Sequence, residues 1–213
     1  MIFYTMYLTV KPEKKHNIIR TKGIIIEDSV GRDRILIGDP IPYSKNRVRT
    51  DTNLVRKYWA TTYGKDSSQF MNWYKSYYNN TEGIVVMNED GFDRVLLGDK
   101  LADPNTGKRM FQTAGILWNN NYGWEMGGAG VHTTSNGQSR SVIGIDDKHG
   151  EAVHIMALED GTKGILIGGE NGRLLIGMSK KDGAWFQNKN TFTGMKFFDN
   201  HGKLVWEQKM NKQ

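Results

Sequence analysis

Pairs of neighbouring acidic residues recur along the chain, and paired carboxylates are the groups that hydrolyse glycosidic bonds or ligate calcium. The pairs are Glu27-Asp28, Glu89-Asp90, Asp146-Asp147 and Glu159-Asp160. A calcium loop needs acids at regular alternate positions, which the segments NEDG and DDKHG do not provide. Each pair comes shortly before a glycine in a polar stretch, so the pattern favours solvated hairpin tips over a reaction centre.

Other residues that could do chemistry form no recognisable constellation. The five histidines match no zinc spacing, and the chain has no cysteine, which excludes disulfides and thiolate metal sites. His132 and His154 could meet across strands, although a lone histidine in a strand is usually structural. Neither a nucleophile elbow nor a phosphate-binding loop is present, and the glycines of MGGAG at 126–130 are interpreted as strand glycines. We therefore expect no catalytic residue, no metal site and no cofactor.

An aromatic-rich segment, residues 40–82, is the first choice for a binding site. Phe70, Trp73, Tyr74 and Tyr77 recur at the spacing of one helix face. This stripe either packs onto an open face of a sheet or forms a groove floor edged by arginines, which could stack sugars or grip an acidic partner. The predicted ligand-binding residues are Tyr58, Trp59, Trp73, Tyr74, Tyr77, Arg47, Arg49 and Arg56.

These candidates must be positioned by a repeated unit that dominates the chain. GIIIEDSVGRDRILIGD at 23–39 aligns without a gap with GIVVMNEDGFDRVLLGD at 83–99, including three glycines and an Asp-Arg pair. Weaker copies begin at residues 115, 164 and 194. Each unit has an apolar run, a polar turn that ends in glycine, and a second apolar run, which predicts a β-hairpin.

The apolar runs of these units do not alternate with polar residues. The runs at 24–26, 95–97 and 174–176 are unbroken aliphatic stretches. A strand with one wet face would alternate, so both faces are expected to be covered. Stacked hairpins, a sandwich, a barrel-like closure or a subunit interface would each provide that cover. The repeated pairs Asp33-Arg34 and Asp93-Arg94 are expected to be structural ion pairs.

Charge and the N-terminal residues limit the classes of partner. The net charge of +6 is concentrated at 11–22, 45–57 and 203–212, while the hairpins are mildly acidic. A nucleic-acid binder usually concentrates its basic residues on a folded face, so nucleic acid is not an expected partner. Residues 1–10 are apolar but too few to span a bilayer as a helix, and they are interpreted as a first strand or as the remnant of a membrane anchor.

The two best copies, the aromatic insertion between them and the DPNTGKR that follows resemble a group of uncharacterised bacterial proteins. The shared motif is G-I-x-x-x-[DN]-x-x-G-x-D-R-x-L-x-G-D, over residues 20–177. The resemblance implies an N-terminal membrane anchor in many members, and it implies no activity and no catalytic residues.

We therefore predict a mainly β fold of stacked antiparallel β-hairpin repeats, sandwich-, barrel- or solenoid-like, with a short helical insertion. Residues 1–22 would be the N-terminal strand or anchor remnant, and 23–213 a single β-repeat domain with its insertion at 40–82. The leading hypothesis is a non-enzymatic binding or structural module of a bacterial cell envelope, with a protein or glycan partner and a homo-oligomeric state among the options. A carbohydrate-active hydrolase that uses paired turn carboxylates is one alternative, and a phage or secretion-apparatus fibre component is another.

Overall fold

A computed structural model describes residues 19–62, 67–75, 81–105, 111–183 and 185–210, and it confirms the mainly β prediction. Within those residues twelve strands form one open antiparallel sheet, in which every strand lies next to its neighbours in sequence. The strands are β1 (Gly23–Glu27), β2 (Asp33–Gly38), β3 (Glu82–Met87), β4 (Asp93–Asp99), β5 (Gln112–Asn119), β6 (Glu125–Thr133), β7 (Ser139–Asp147), β8 (Gly150–Ala157), β9 (Lys163–Gly169), β10 (Gly172–Ser179), β11 (Phe192–Asp199) and β12 (Leu204–Lys209).

The predicted hairpin repeat fits this strand order, and its turns are closed by the residues that the pattern singled out. The Asp28 carboxylate accepts the backbone N–H groups two and four residues further on, at 3.0 and 3.1 Å. The Asn88 side-chain oxygen does the same in the second copy, at 3.1 and 2.9 Å. Gly31 and Gly91 then take φ of +79° and +82°, a conformation that glycine adopts without steric cost.

The glycines that end each apolar run lie opposite one another across the sheet. Two rows of paired glycines result, one of six in β1–β6 and one of three in β9–β11. At Gly83, whose φ is +152°, an added Cβ would lie 2.0 Å from the carbonyl oxygen of Leu97. The neighbouring backbones therefore occupy the space that any side chain would need.

The two faces of the sheet differ in what covers them. On one face Leu36, Val85 and Leu96 are opposite one another and fully buried. Residues at the alternate positions, such as Ile24 and Leu97, point to the other face and are 40% and 46% exposed. We call these the covered face and the bare face.

The N-terminal half of the covered face is covered by Ile41 and Leu101, which pack with Leu36, Val85 and Leu96. The insertion between β2 and β3 includes Ile41, and its helices pack at the hairpin ends against Phe92 and Trp124. It contains a 3₁₀ turn (Val48–Thr50), helix α1 (Thr52–Val55) continued by a π-helical turn (Arg56–Ala60), and helix α2 (Ser67–Tyr74). The Asp51 carboxylate caps α1 by accepting the N–H groups of Asn53 and Leu54. A second cover lies at the other end of the sheet, where Phe186 packs among Leu166, Leu175 and Phe198.

The repeated Asp-Arg pairs do not form the ion pairs predicted from the sequence. Neighbouring residues of a strand point to opposite faces, and a β-bulge at each motif arginine displaces its side chain further. Arg34 donates instead to the carbonyl oxygen of Met87 at 3.1 Å, and Arg94 to that of Asn119 at 3.0 Å. Each motif arginine therefore ties its own hairpin to the next one.

The predicted strand or anchor at 1–22 lies largely outside the described residues, which begin at residue 19. In the described part of the chain, no helix has both the length and the apolar character that crossing a bilayer requires.

Candidate functional site

A groove lies on the covered face between the two covers, over the middle of the sheet. Its volume is about 390 Å³. The floor is formed by β6 and β7, chiefly by Gly128, Gly130 and Gly144. The segment from Leu101 to Asn105, which follows β4, lines one side, and β8 lines the other with His154.

The floor of the groove is recessed because glycine replaces the aliphatic residue that other copies of the repeat have at this position. Across the sheet, the row that contains Leu36 and Leu96 continues through Leu117 to Gly128 and Gly144. The next residue in this row, His154, has a side chain again. The absence of side chains on two successive strands, at Gly128 and Gly144, leaves the space that the groove occupies.

Four carboxylates line the groove, and two of them reach it through β-bulges. In β6 the register shifts so that Glu125 lies opposite Asn119, on the covered face. A second shift brings Glu151 of β8 opposite Asp146 of β7. A bulge moves the side chains beyond it to the other face, so Glu125 and Glu151 lie over the sheet. Asp103 is the fourth carboxylate, and the lining includes no lysine or arginine among the described residues.

Burial and neighbouring negative charges raise the pKa of two of these acids, Glu125 and Asp146. Burial of Glu125, with smaller contributions from the charges of Asp103, Asp146 and Glu151, raises its pKa to about 8. Burial and the neighbouring Glu151 also raise the pKa of Asp146. Glu125 is therefore mostly protonated at neutral pH, and a positive charge placed in the groove would favour its ionised form.

Rings line both sides of the groove. The Phe111 ring is stacked on His132 with centroids 5.7 Å apart, and the guanidinium of Arg140 lies over the same phenyl ring, 5.6 Å from its centroid. Across the floor, His154 is supported by Trp185 at 5.6 Å and lies 3.9 Å from a carboxylate oxygen of Glu151. The arrangement combines apolar ring faces with carboxylates, as in sites that bind organic cations or sugars.

We expect Glu125→Gln to stabilise the protein at high pH and to change little at low pH. A folded pKa of about 8 lies above the ordinary value of 4.5, so the stability of the wild type falls as pH rises from 4.5 through 8. At pH 9 the variant should be more stable by about 5 kcal/mol, or roughly 15 °C in Tm, on the scale of about 1.4 kcal/mol per pKa unit. Thermal melts at pH 5, 7 and 9 measure this difference. Glu89→Gln, at an exposed hairpin tip, is the control, and a Glu125→Gln difference that is constant with pH would contradict the assignment.

The predicted binding residues in the insertion lie outside the groove. Trp59 and Tyr74 are buried, and Tyr58 packs against their cluster. Trp73 is half-buried, Arg56 is exposed, and Tyr77 lies outside the described residues. Several of these residues therefore pack within the insertion and against Phe92 and Trp124 at the hairpin ends, and a role in ligand binding stays a prediction.

Arg47 and Arg49 are buried on a single carboxylate. Arg47 donates to both oxygens of Asp93, at 2.8 and 2.7 Å, and Nε of Arg49 lies 3.1 Å from Oδ2. Arg49 also donates to two backbone carbonyl oxygens at 2.9 Å, and its guanidinium lies 4.3 Å from the centre of the Trp59 ring. Burial alone would raise the pKa of the Asp93 carboxyl group, but the charges and hydrogen bonds of Arg47 and Arg49 outweigh it and lower that pKa. This cluster joins the insertion to β4.

The groove residues were missed by sequence reasoning that treated each motif by itself. The sequence pattern places Asp146 in a solvated turn and makes Gly128 an ordinary strand glycine. The available signal was the alignment of the copies, because MGGAG has glycine where GRDRILIG has Leu36. His132 and His154 both line the groove, but they lie on β6 and β8, which are separated by β7.

No family model, curated protein or solved structure matches the chain. Among the described residues, no three acidic or histidine side chains converge as metal ligands would.

Proposed function

We propose that the protein is a non-enzymatic binding module whose groove takes an organic cation with an apolar body. The observation that carries this proposal is the described lining, in which four carboxylates are accompanied by two histidines and by no lysine or arginine, in a chain of net charge +6. The position of the groove between two covers also supports it, since both sides rest on buried clusters that hold their shape.

Charge selects the ligand class. A cation in the groove gains attraction from several carboxylates at once. An anion or a nucleic-acid phosphate would be repelled by the same carboxylates. A ligand of fewer than about fifteen non-hydrogen atoms fits a volume of 390 Å³, whereas a folded protein domain does not.

Calorimetric titration with hexamethonium tests the proposal, because this ligand carries its two charges at every pH. We expect measurable binding at pH 7.5 and none for hexane-1,6-diol, which has the same chain length without charge. Affinity for hexamethonium should rise with pH through about 8, since Glu125 then becomes ionised. Binding of hexane-1,6-diol or of a neutral tetrasaccharide with equal affinity would contradict charge selection.

Site variants locate the binding. Asp146→Asn and Glu151→Gln should each weaken hexamethonium binding about tenfold, equivalent to about 1.4 kcal/mol. Gly144→Val should block the groove, because a Cβ there meets only the His154 ring at 3.3 Å and its branches would extend into the open space. Glu89→Gln serves as the matched control, and it should bind as the wild type does.

One observation favours a second candidate, a carbohydrate-active hydrolase. A buried glutamic acid that holds its proton at neutral pH beside other carboxylates is the pairing that glycosidases use for general acid catalysis. The residues would be Glu125 as acid and Asp146 or Glu151 as base or nucleophile, and not the adjacent turn pairs predicted from the sequence. Release of reducing sugar from a glycan panel by the wild type, and its loss in Glu125→Gln, would replace the binding proposal with this one.

A bacterial cell envelope remains our proposed location, carried by the resemblance of residues 20–177 to proteins that are often anchored at the N-terminus. Fractionation of cells that express the full chain tests it, and recovery from the cytoplasmic fraction alone would contradict it.

A further inference from the structure

We propose that the bare face is an interface at which a second copy of this chain packs. This face carries two rows of side chains that run across all twelve strands. One row contains the direct cross-strand partners of Ile37 and Ile143, and the other contains those of Ile35 and Ile145. None of the twenty-four positions in the two rows has a charged residue.

The described residues leave these rows uncovered. The three buried hydrophobic clusters include none of the row residues. Ile143, Ile155 and Ile167, in the middle of the sheet, are 43, 47 and 45% exposed. Such a surface is larger than the apolar patches of ordinary monomers, which reach about 300–600 Å².

Its area matches what a stable association needs. Strands lie about 4.8 Å apart and residues of one face about 7 Å apart along a strand, so two rows over twelve strands cover about 50 by 14 Å. The result is about 700 Å², close to the roughly 800 Å² that each partner buries in a specific complex.

A second copy fits this surface better than other occupants do. Two such faces are complementary to each other by composition, and a two-fold axis would bring each row against its equivalent with the sheets about 10 Å apart. A charged partner would find no counter-charge in the rows. The unbroken aliphatic runs follow directly, since both faces of each strand are then removed from water.

Light scattering on the full chain gives the first test. We expect a mass of at least twice the 24.2 kDa of one chain. Ile143→Glu and Ile155→Glu should shift the mass to that of a single chain, because these cross-strand partners lie at the centre of the face. Ile25→Glu places the same charge on the covered side of the sheet at a position with 41% exposure, and it should leave the mass unchanged.

Single-cysteine variants keep the test valid if a glutamate variant does not fold, and the chain offers a background without cysteine. Ile155→Cys should react with a thiol reagent at least tenfold more slowly than Ile25→Cys, although the two positions are similarly exposed in one chain. A single-chain mass for the wild type overturns the proposal. This holds even if the thiol of Ile155→Cys reacts slowly, because residues of the same chain would then be what protects it. Equal reaction rates in an oligomer also overturn it, because the copies would then meet elsewhere.

Discussion

Asp93→Asn is expected to destabilise the protein by about 3–5 kcal/mol, because it leaves Arg47 and Arg49 buried without their counter-charge. Both guanidinium groups are about 2% exposed, so water cannot replace the lost carboxylate. Asn has the shape of Asp but can accept at only one of the two oxygen positions. Denaturant unfolding followed by tryptophan fluorescence measures the loss, since Trp59 lies against Arg49.

The matched control is Asp33→Asn, at the equivalent position of the first copy. Asp33 is also buried, but no described arginine forms an ion pair with it, so its replacement should have a much smaller effect. In the wild type the pKa of Asp93 is lowered, so the stability it contributes is present above about pH 3.8 and is lost as pH falls below that value. Equal losses for the two variants would show that the cluster does not hold the insertion.

Gly83→Ala is expected to cost at least about 4 kcal/mol, the range of the most disruptive single substitutions. The added methyl group would lie 2.0 Å from one backbone oxygen and 2.8 Å from the Cα of Gly98, and neither atom can move without breaking the pairing of β3 with β4. The φ of +152° is a further obstacle, because only glycine adopts it readily. The free energy of unfolding, measured in urea, gives the size of the effect.

Gly31→Ala separates the two causes. Gly31 has a positive φ of +79°, but nothing lies within 4 Å of an added Cβ. Its substitution should therefore cost about 1–2 kcal/mol, the conformational contribution alone. If Gly83→Ala were no more harmful than Gly31→Ala, the close approach of the strands would not be what requires glycine in these rows.

The sequence was sufficient for the hairpin and its repetition, because both depend on local chemistry. An acid or amide that accepts two backbone N–H groups, followed by a glycine with positive φ, determines the turn in Asp28–Gly31 and in Asn88–Gly91 alike. The alignment of the copies at a constant offset of 60 residues then implies that they share one structure.

The site depends on contacts between distant parts of the chain, which no local pattern contains. Asp93 meets Arg47 across 46 residues, and its partner in the sequence motif, Arg94, belongs to a different contact. The β-bulge before Gly127 reverses the alternation of side chains between the two faces. Counting alternate residues along the strand would therefore place Glu125 on the wrong face. The groove itself arises from missing side chains, which a search for functional groups does not detect.

The most direct measurement of the central claim is hydrogen–deuterium exchange with and without hexamethonium. If the opening between the two covers is the binding site, amides at 125–132 and 142–154 should become protected when the ligand is added, while those at 48–60 and 67–75 should not change. Protection confined to the insertion would instead assign binding to its aromatic residues, and it would contradict a site on the glycine floor of the sheet.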